Sequence, residues 1–177
     1  MKKIFLATLF AGVLGLLGCN SSDPPIDKTT VTALDLTKYM GKWYEIARYD
    51  HSFERNLVGC TADYSIQEDG IIKVINSGYK NSLDGKYEES IGKARRPDDS
   101  KPGELEVAFF ANFYADYWVL ELDEDYNYVL VGSKKDNYLW ILSRTPQMKT
   151  EDLDFIKNRA KIRGYNLDDL IWVEQPL

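Results

Sequence analysis

From Gly41 onward, short runs rich in aromatic and β-branched residues alternate with clusters of Gly, Pro, Asn and Asp. That rhythm marks strands joined by turns. The runs are Gly41–Asp50, Val58–Gln67, Ile71–Tyr79, Lys86–Arg95, Glu104–Phe110, Asp116–Asp123, Asn127–Ser133 and Tyr138–Ser143, eight predicted strands in all. Asp69-Gly70 lies between the second and third, Asp84-Gly85 ends the link to the fourth, and Lys134–Asn137 lies between the seventh and eighth. Asp-Gly supplies the positive φ that tight hairpins need. Pro97, Pro102 and Gly103 make 96–103 a plain loop. No link is long enough for a crossover helix, so the sheet is predicted to be antiparallel. Eight up-and-down strands leave raw edges unless the last meets the first, and closure gives a barrel of the size that holds one small ligand.

After Pro146 the period changes. Leu153, Ile156 and Ala160 fall on one helical face, with Phe155 and Ile162 flanking it. Thr150 is the expected N-cap, Glu151 and Asp152 suit the first turn, Arg159, Lys161 and Arg163 suit the last, and Gly164 is the stop. Leu170–Val173 can add a last short strand. The predicted fold is all-β: an eight-stranded antiparallel up-and-down β-barrel with a C-terminal α-helix packed outside.

Alternate loops of a meander share an end. The start of the first strand and the end of the eighth therefore meet, and Trp43 is predicted to lie against Arg144 although the two are far apart in the chain. An Arg over an indole face is a cation–π contact, and this pair is expected to plug the closed end. Phe53, Leu83, Phe113 and Tyr114 fall in loops at the opposite end. Apolar loop tips of this kind form the expected portal.

The chain begins differently. Lys2-Lys3 precedes an apolar run from Ile4 to Leu17 that is interrupted by Thr8, Gly12 and Gly15. A basic start and a short apolar stretch form a secretory signal, too short for a comfortable membrane span. Leu16-Leu17-Gly18-Cys19 resembles the bacterial lipobox. Small Gly18 opens the bond before Cys19 to the signal peptidase, and the Cys19 thiol and freed amine take acyl chains, several of which make anchoring stable. Asn20, rather than Asp, favours the outer membrane under enterobacterial-type sorting. Residues 20–33 are polar, contain Pro24-Pro25 and read as a tether. The expected organisation is a signal peptide at 1–18, a lipidated tether at 19–33 and a barrel domain at 34–177.

Composition narrows the partners. Hydrophobic residues at 44% and charged residues at 28% describe a globular chain. The formal charge is −6, and removing Lys2 and Lys3 with the signal leaves −8. An acidic domain with no basic run is not built for nucleic acid, nor for docking on anionic lipid by charge alone. The acidic clusters Glu88-Glu89, Asp98-Asp99 and Asp123–Asp125 read as solvated faces and turns. No phosphate loop, zinc spacing or cofactor motif appears.

Gly41-Lys42-Trp43-Tyr44-Glu45-Ile46-Ala47-Arg48 resembles the G-x-W signature that opens the lipocalin barrel. Asp123–Tyr128 resembles the second conserved lipocalin region, and Ser143-Arg144-Thr145-Pro146 the third, in which an Arg packs on the signature Trp. With the lipobox, the chain is similar to the bacterial lipocalins from Leu34 onward. That resemblance implies binding of fatty acids or lysophospholipids at the outer membrane, on its periplasmic face, in lipid storage, transport or repair, without catalysis and without a cofactor. It leaves room for a homodimer.

Strand alternation supplies the pocket walls. Trp43, Glu45, Ala47 and Tyr49 share one face of the first strand, Cys60, Ala62, Tyr64 and Ile66 one of the second, and Ile72, Val74, Asn76 and Gly78 one of the third. Val107 and Phe109 are candidates on the fifth. The expected ligand contacts are Glu45, Ala47, Tyr49, Tyr64, Asn76 and Phe109, with Gly41, Trp43 and Arg144 closing the barrel. Glu45 is the odd member, because a buried carboxylate must be paired, hydrated or protonated. Its partner is a cationic headgroup or an Arg such as Arg95, unless a register break turns it outward. Two other readings stand beside lipid binding. One is a lipid-modifying enzyme using Cys60, the only thiol left after Cys19 is acylated, although the sole histidine, His51, is predicted at the far end of the first strand. The other is a filled barrel with a structural or interaction role.

Overall fold

In the computed structural model, which describes residues 25–176, one antiparallel sheet curls until its first strand meets its last. The signal peptide, Cys19 and residues 20–24 of the expected tether lie outside the described residues. The strands are β1 (Gly41–Tyr49), β2 (Leu57–Ile66), β3 (Ile72–Lys80), β4 (Tyr87–Arg95), β5 (Glu104–Ala108), β6 (Ala115–Leu122), β7 (Tyr128–Gly132) and β8 (Leu139–Ser143). Each pairs with its sequence neighbour, and β1 pairs with both β2 and β8, which closes the barrel. The strand β9 (Leu170–Trp172) adds to the Ala47–Tyr49 half of β1. β5 stops at Ala108, two residues short of the expectation, so Phe109 and Phe110 belong to the loop.

A helix the sequence reading did not anticipate, α1 (Leu36–Tyr39), precedes β1. Asp35 caps it by accepting from the backbone N–H of Thr37 at 2.9 Å. One turn is too short to show helical periodicity. The helix α2 (Thr150–Ile162) packs outside β7. Its cap position is Lys149, with no side-chain cap bond, and Thr150 is the first helical residue rather than the expected N-cap. Gly164 ends the helix at φ +94°, a conformation that favours glycine.

The core has two compartments. Inside the barrel, toward the closed end, Tyr39, Trp43, Tyr64, Val74, Val129 and Leu142 pack together. Between the outer wall and α2 lie Ile46, Leu130, Ile141, Ile156, Ala160 and Tyr165. β7 separates the two, so all five of its residues are buried, and Tyr-Val-Leu-Val-Gly reads as continuous apolar sequence.

One irregularity redistributes β1. Its pairing with β8 runs Glu45 to Leu142 and then Ala47 to Ile141, so Ile46 is an extra residue in the ladder. A bulge moves every later side chain to the opposite face. Trp43 belongs to the inner core, but Ala47 and Tyr49 belong to the outer one beneath α2. Both were expected to line the pocket, and both are removed from it by this slip. Arg48 takes the inward position, level with Trp140.

The N-terminal segment is also shorter as a tether than expected. Asp27 N–H donates to Arg163 O at 2.8 Å, Val31 N–H donates to Val119 O at 2.9 Å, and Arg163 Nη1 donates to Thr29 O at 2.8 Å. Residues 27–33 therefore lie along the barrel wall instead of spanning free solvent.

Candidate functional site

The interior is hollow above the closed end. A cavity of about 320 Å³ opens at the rim formed by the β1–β2, β5–β6 and β7–β8 loops. The filled barrel of the alternative reading would leave no such space. The volume is at the lower end of the roughly 300–1,000 Å³ usual for small-molecule pockets, which suits a narrow guest.

The floor is aromatic and closed. Tyr39 Oη and Tyr117 Oη are 2.6 Å apart, and Tyr64 Oη donates to Tyr117 Oη at 3.1 Å. Burial pushes the phenols of Tyr39, Tyr64 and Tyr117 above their usual range, so all three stay neutral. Beneath them Trp43 is fully buried, and its Nε1 donates to Tyr39 O at 2.9 Å. Arg144 lies over the indole, with its central carbon 3.8 Å from the ring centroid. A Cβ on Gly41, at φ +88°, would sit 3.6 Å from Arg144 Nη1, so only the backbone conformation demands glycine there.

Walls of Ala62, Val74, Val107 and Leu142 rise from the floor, with Asn76 among them. A charged cluster stands nearer the rim. Arg48 Nη1 donates to Glu45 Oε1 at 2.6 Å and approaches Cys60 Sγ at 3.9 Å, while Nη2 donates to Glu54 O at 2.8 Å. Trp140 Nε1 donates to Glu54 Oε2 at 3.2 Å, and His51 Nε2 lies 3.0 Å from the same oxygen. Burial, reinforced by the nearby Glu54 charge, holds Glu45 well above the usual carboxylate range against the pull of Arg48. The expected partner Arg95 is elsewhere, on Glu106 and over the Tyr114 ring. Burial and the same two carboxylates drive the Cys60 thiol up, away from the thiolate that a nucleophile requires.

Among the described residues no group of His, Cys, Asp or Glu is arranged to hold a metal ion, and no helix is long and apolar enough to cross a membrane.

Residues 34–175 match the family model described as a lipocalin-like domain. The chain belongs to the lipocalin family. It is 43% identical over 176 residues to the outer membrane lipoprotein Blc of Vibrio cholerae, covering 99% of both chains. It is 42% identical to the Blc of Escherichia coli K12, again with 99% of each chain covered. Apolipoprotein D of Mus musculus is 32% identical, over 97% of this chain and 94% of that one. Among solved structures, the cockroach allergen Per a 4 superposes with a TM-score of 0.67 at 26% identity, over 87% of this chain and 96% of that one. Insecticyanin from Manduca sexta superposes with a TM-score of 0.70 at 22% identity, over 86% of this chain and 87% of that one, and speaks for the fold alone.

Within this lipocalin, Glu45, Tyr64, Asn76 and Phe109 line the cavity, whereas Ala47 and Tyr49 do not. Of the expected portal residues, Phe53 and Tyr114 line the mouth. Phe113 is 76% exposed and stacks on Phe110 at 6.1 Å without reaching the cavity, and Leu83 packs over Gly59 instead. The sequence reading missed Arg48, Glu54, Tyr117 and Trp140. Arg48 was hidden by the bulge, Glu54 by its loop, and Tyr117 and Trp140 by the absence of any face assignment for β6 and β8.

Proposed function

We propose that this lipocalin is an outer-membrane lipoprotein, acylated at Cys19 and facing the periplasm, that holds a single-chain amphiphile in its barrel: a fatty acid or a lysophospholipid. The carrying observation is the polarity of the cavity, which has apolar and aromatic depth below and the Glu45–Arg48–Glu54 cluster nearer the rim. An acyl tail enters the floor region, and the headgroup stays with the charges. Asn76 Oδ1 on the wall has no hydrogen-bond partner among the described residues, which favours a guest carrying an ammonium or hydroxyl donor over a bare hydrocarbon. The relatives named outer membrane lipoprotein Blc support the location, as does the lipobox at Leu16–Cys19.

The energetics suit such a guest. Burying a chain of about 16 carbons releases roughly 12 kcal/mol gross at ~0.8 kcal/mol per CH₂. Association and ordering costs remove a large part of that, leaving affinity on the order of micromolar.

Mass spectrometry of organic extracts from the purified chain, followed by titration of palmitate and of palmitoyl lysophosphatidylethanolamine, tests the reading. A co-purifying monoacyl lipid and saturable quenching of Trp140 are expected. An empty extract with no spectral or calorimetric response to either lipid would overturn it. Burial of Cys60 and its raised thiol favour binding over thiol catalysis.

A further inference from the structure

The wall-bound N-terminal segment has a direction. Lys28 Nζ donates to Lys134 O at 2.7 Å and pairs with Asp136, both in the β7–β8 loop at the open rim. Val31 binds β6 at Val119. At the closed end Leu34 O accepts from Arg96, and Asp35 N–H donates to Tyr126 Oη. The chain thus descends the outside of the barrel from rim to floor, and its upstream end emerges at the rim.

We propose that the open rim is a docking surface for the lipid bilayer itself, with the cavity mouth held face-down on the membrane. This rests on the reading of Cys19 as the acylated residue. Nine residue steps separate Cys19 from Lys28, a reach of at most about 30 Å. The descent from Lys28 to Asp35 already uses seven steps, roughly 23–25 Å when extended. A barrel standing on its closed end would need the leash to double back over that whole length, leaving almost nothing for the anchor. A barrel standing on its rim needs only the short distance from Lys28 to the bilayer.

The two ends differ in the same sense. The rim carries Phe53 at 60% exposed and Phe110 and Phe113 at 76% each, in loops on two sides of the mouth. Exposed aromatic clusters of this kind are at home in the interfacial layer of a bilayer. The closed end carries Asp35, Glu68, Asp69, Asp98, Asp99, Asp123, Glu124 and Asp125 against Lys38, Arg96, Lys101 and Arg144. The rim loops balance Asp50, Glu54, Asp84 and Asp136 with Arg55, Lys86, Lys134 and Lys135. An anionic surface repels the acidic end and tolerates the neutral one. With the mouth on the bilayer, a guest passes between membrane and cavity without crossing water.

The test uses the mature chain purified from membranes and reconstituted in phosphatidylethanolamine–phosphatidylglycerol vesicles with brominated acyl chains. A fluorophore is placed at Ser52→Cys on the rim or at Asp125→Cys on the closed end, in a Cys60→Ala background. Quenching several-fold stronger at Ser52 than at Asp125 is expected. The Phe110→Ser/Phe113→Ser double variant, altered only at exposed positions, should lose most of that quenching and keep its affinity for lysolipid in solution. Equal quenching at both sites, stronger quenching at Asp125, or rim-to-rim dimers with an unquenched Ser52 label would overturn the docking surface. The mass of the N-terminal peptide is read in the same preparation. An acylated chain without the contrast overturns this inference alone, whereas an unacylated Cys19 overturns the lipoprotein reading and this inference with it.

Discussion

Arg144 and Trp43 meet across the seam of the barrel, the guanidinium carbon 3.8 Å from the indole centroid. The same guanidinium donates to Lys42 O, Lys38 O, Tyr39 O and Tyr126 O. It therefore ties α1, β1 and the β6–β7 loop to the end of β8. A cation–π contact adds to charge-assisted hydrogen bonds here, so Arg144→Ala should cost about 2–4 kcal/mol. Arg144→Lys should recover less than half of that, because a single ammonium cannot reproduce the fork. Urea midpoints of the three proteins measure both, and a loss indistinguishable from zero for Arg144→Ala would show the plug to be ornamental to stability.

The bulge in β1 separates two alanines that strict alternation would treat alike. Ala62 lines the cavity, while Ala47 is buried against the layer beneath α2. Ala62→Leu should weaken lysolipid binding more than tenfold, about 1.4 kcal/mol or more, with stability preserved. Ala47→Leu should instead destabilise by about 1–3 kcal/mol through overpacking, with affinity unchanged. Calorimetric titration and thermal melts of the two variants should give opposite patterns; matching patterns would mean the slip is misplaced.

Glu45 makes stability depend on pH in a defined direction. Its carboxyl is held well above the usual range, chiefly by burial and then by Glu54. The fold therefore keeps a proton that the unfolded chain releases near pH 4.3. The stability this group confers is full below that unfolded value and is lost as pH rises through the higher folded value. Glu45→Gln keeps an acceptor for Arg48 and removes the titration. Denaturant midpoints across neutral pH should fall more for the parent than for the variant, and parallel curves would exclude Glu45 as the source.

Cys60 should behave as an inert core atom. Its raised thiol and its burial predict that the folded chain reacts with a disulfide reagent orders of magnitude more slowly than the denatured chain. Cys60→Ser should leave lysolipid affinity and lipid turnover where they were. A lipid-turnover activity that vanishes in Cys60→Ser would revive the enzymatic reading.

The sequence alone determined the elements and how they join. Period-two runs punctuated by Asp-Gly give strands with unambiguous hairpins, a 3.6-residue period after Pro146 gives a helix, and the meander then forces Trp43 beside Arg144. These features depend on local backbone preference and on connectivity, and both are written along the chain. The tertiary structure decided which side chains face the guest. One extra residue at Ile46 sent Ala47 and Tyr49 outward and Arg48 inward, and nothing in Glu-Ile-Ala-Arg marks it, because Ile46 is as acceptable in a regular strand as in a bulge. Residues 27–33 likewise look like a polar linker, yet they are fixed to the wall by Arg163, Val119 and the β7–β8 loop. Those partners lie many residues away, so the bonds exist only after the barrel has formed.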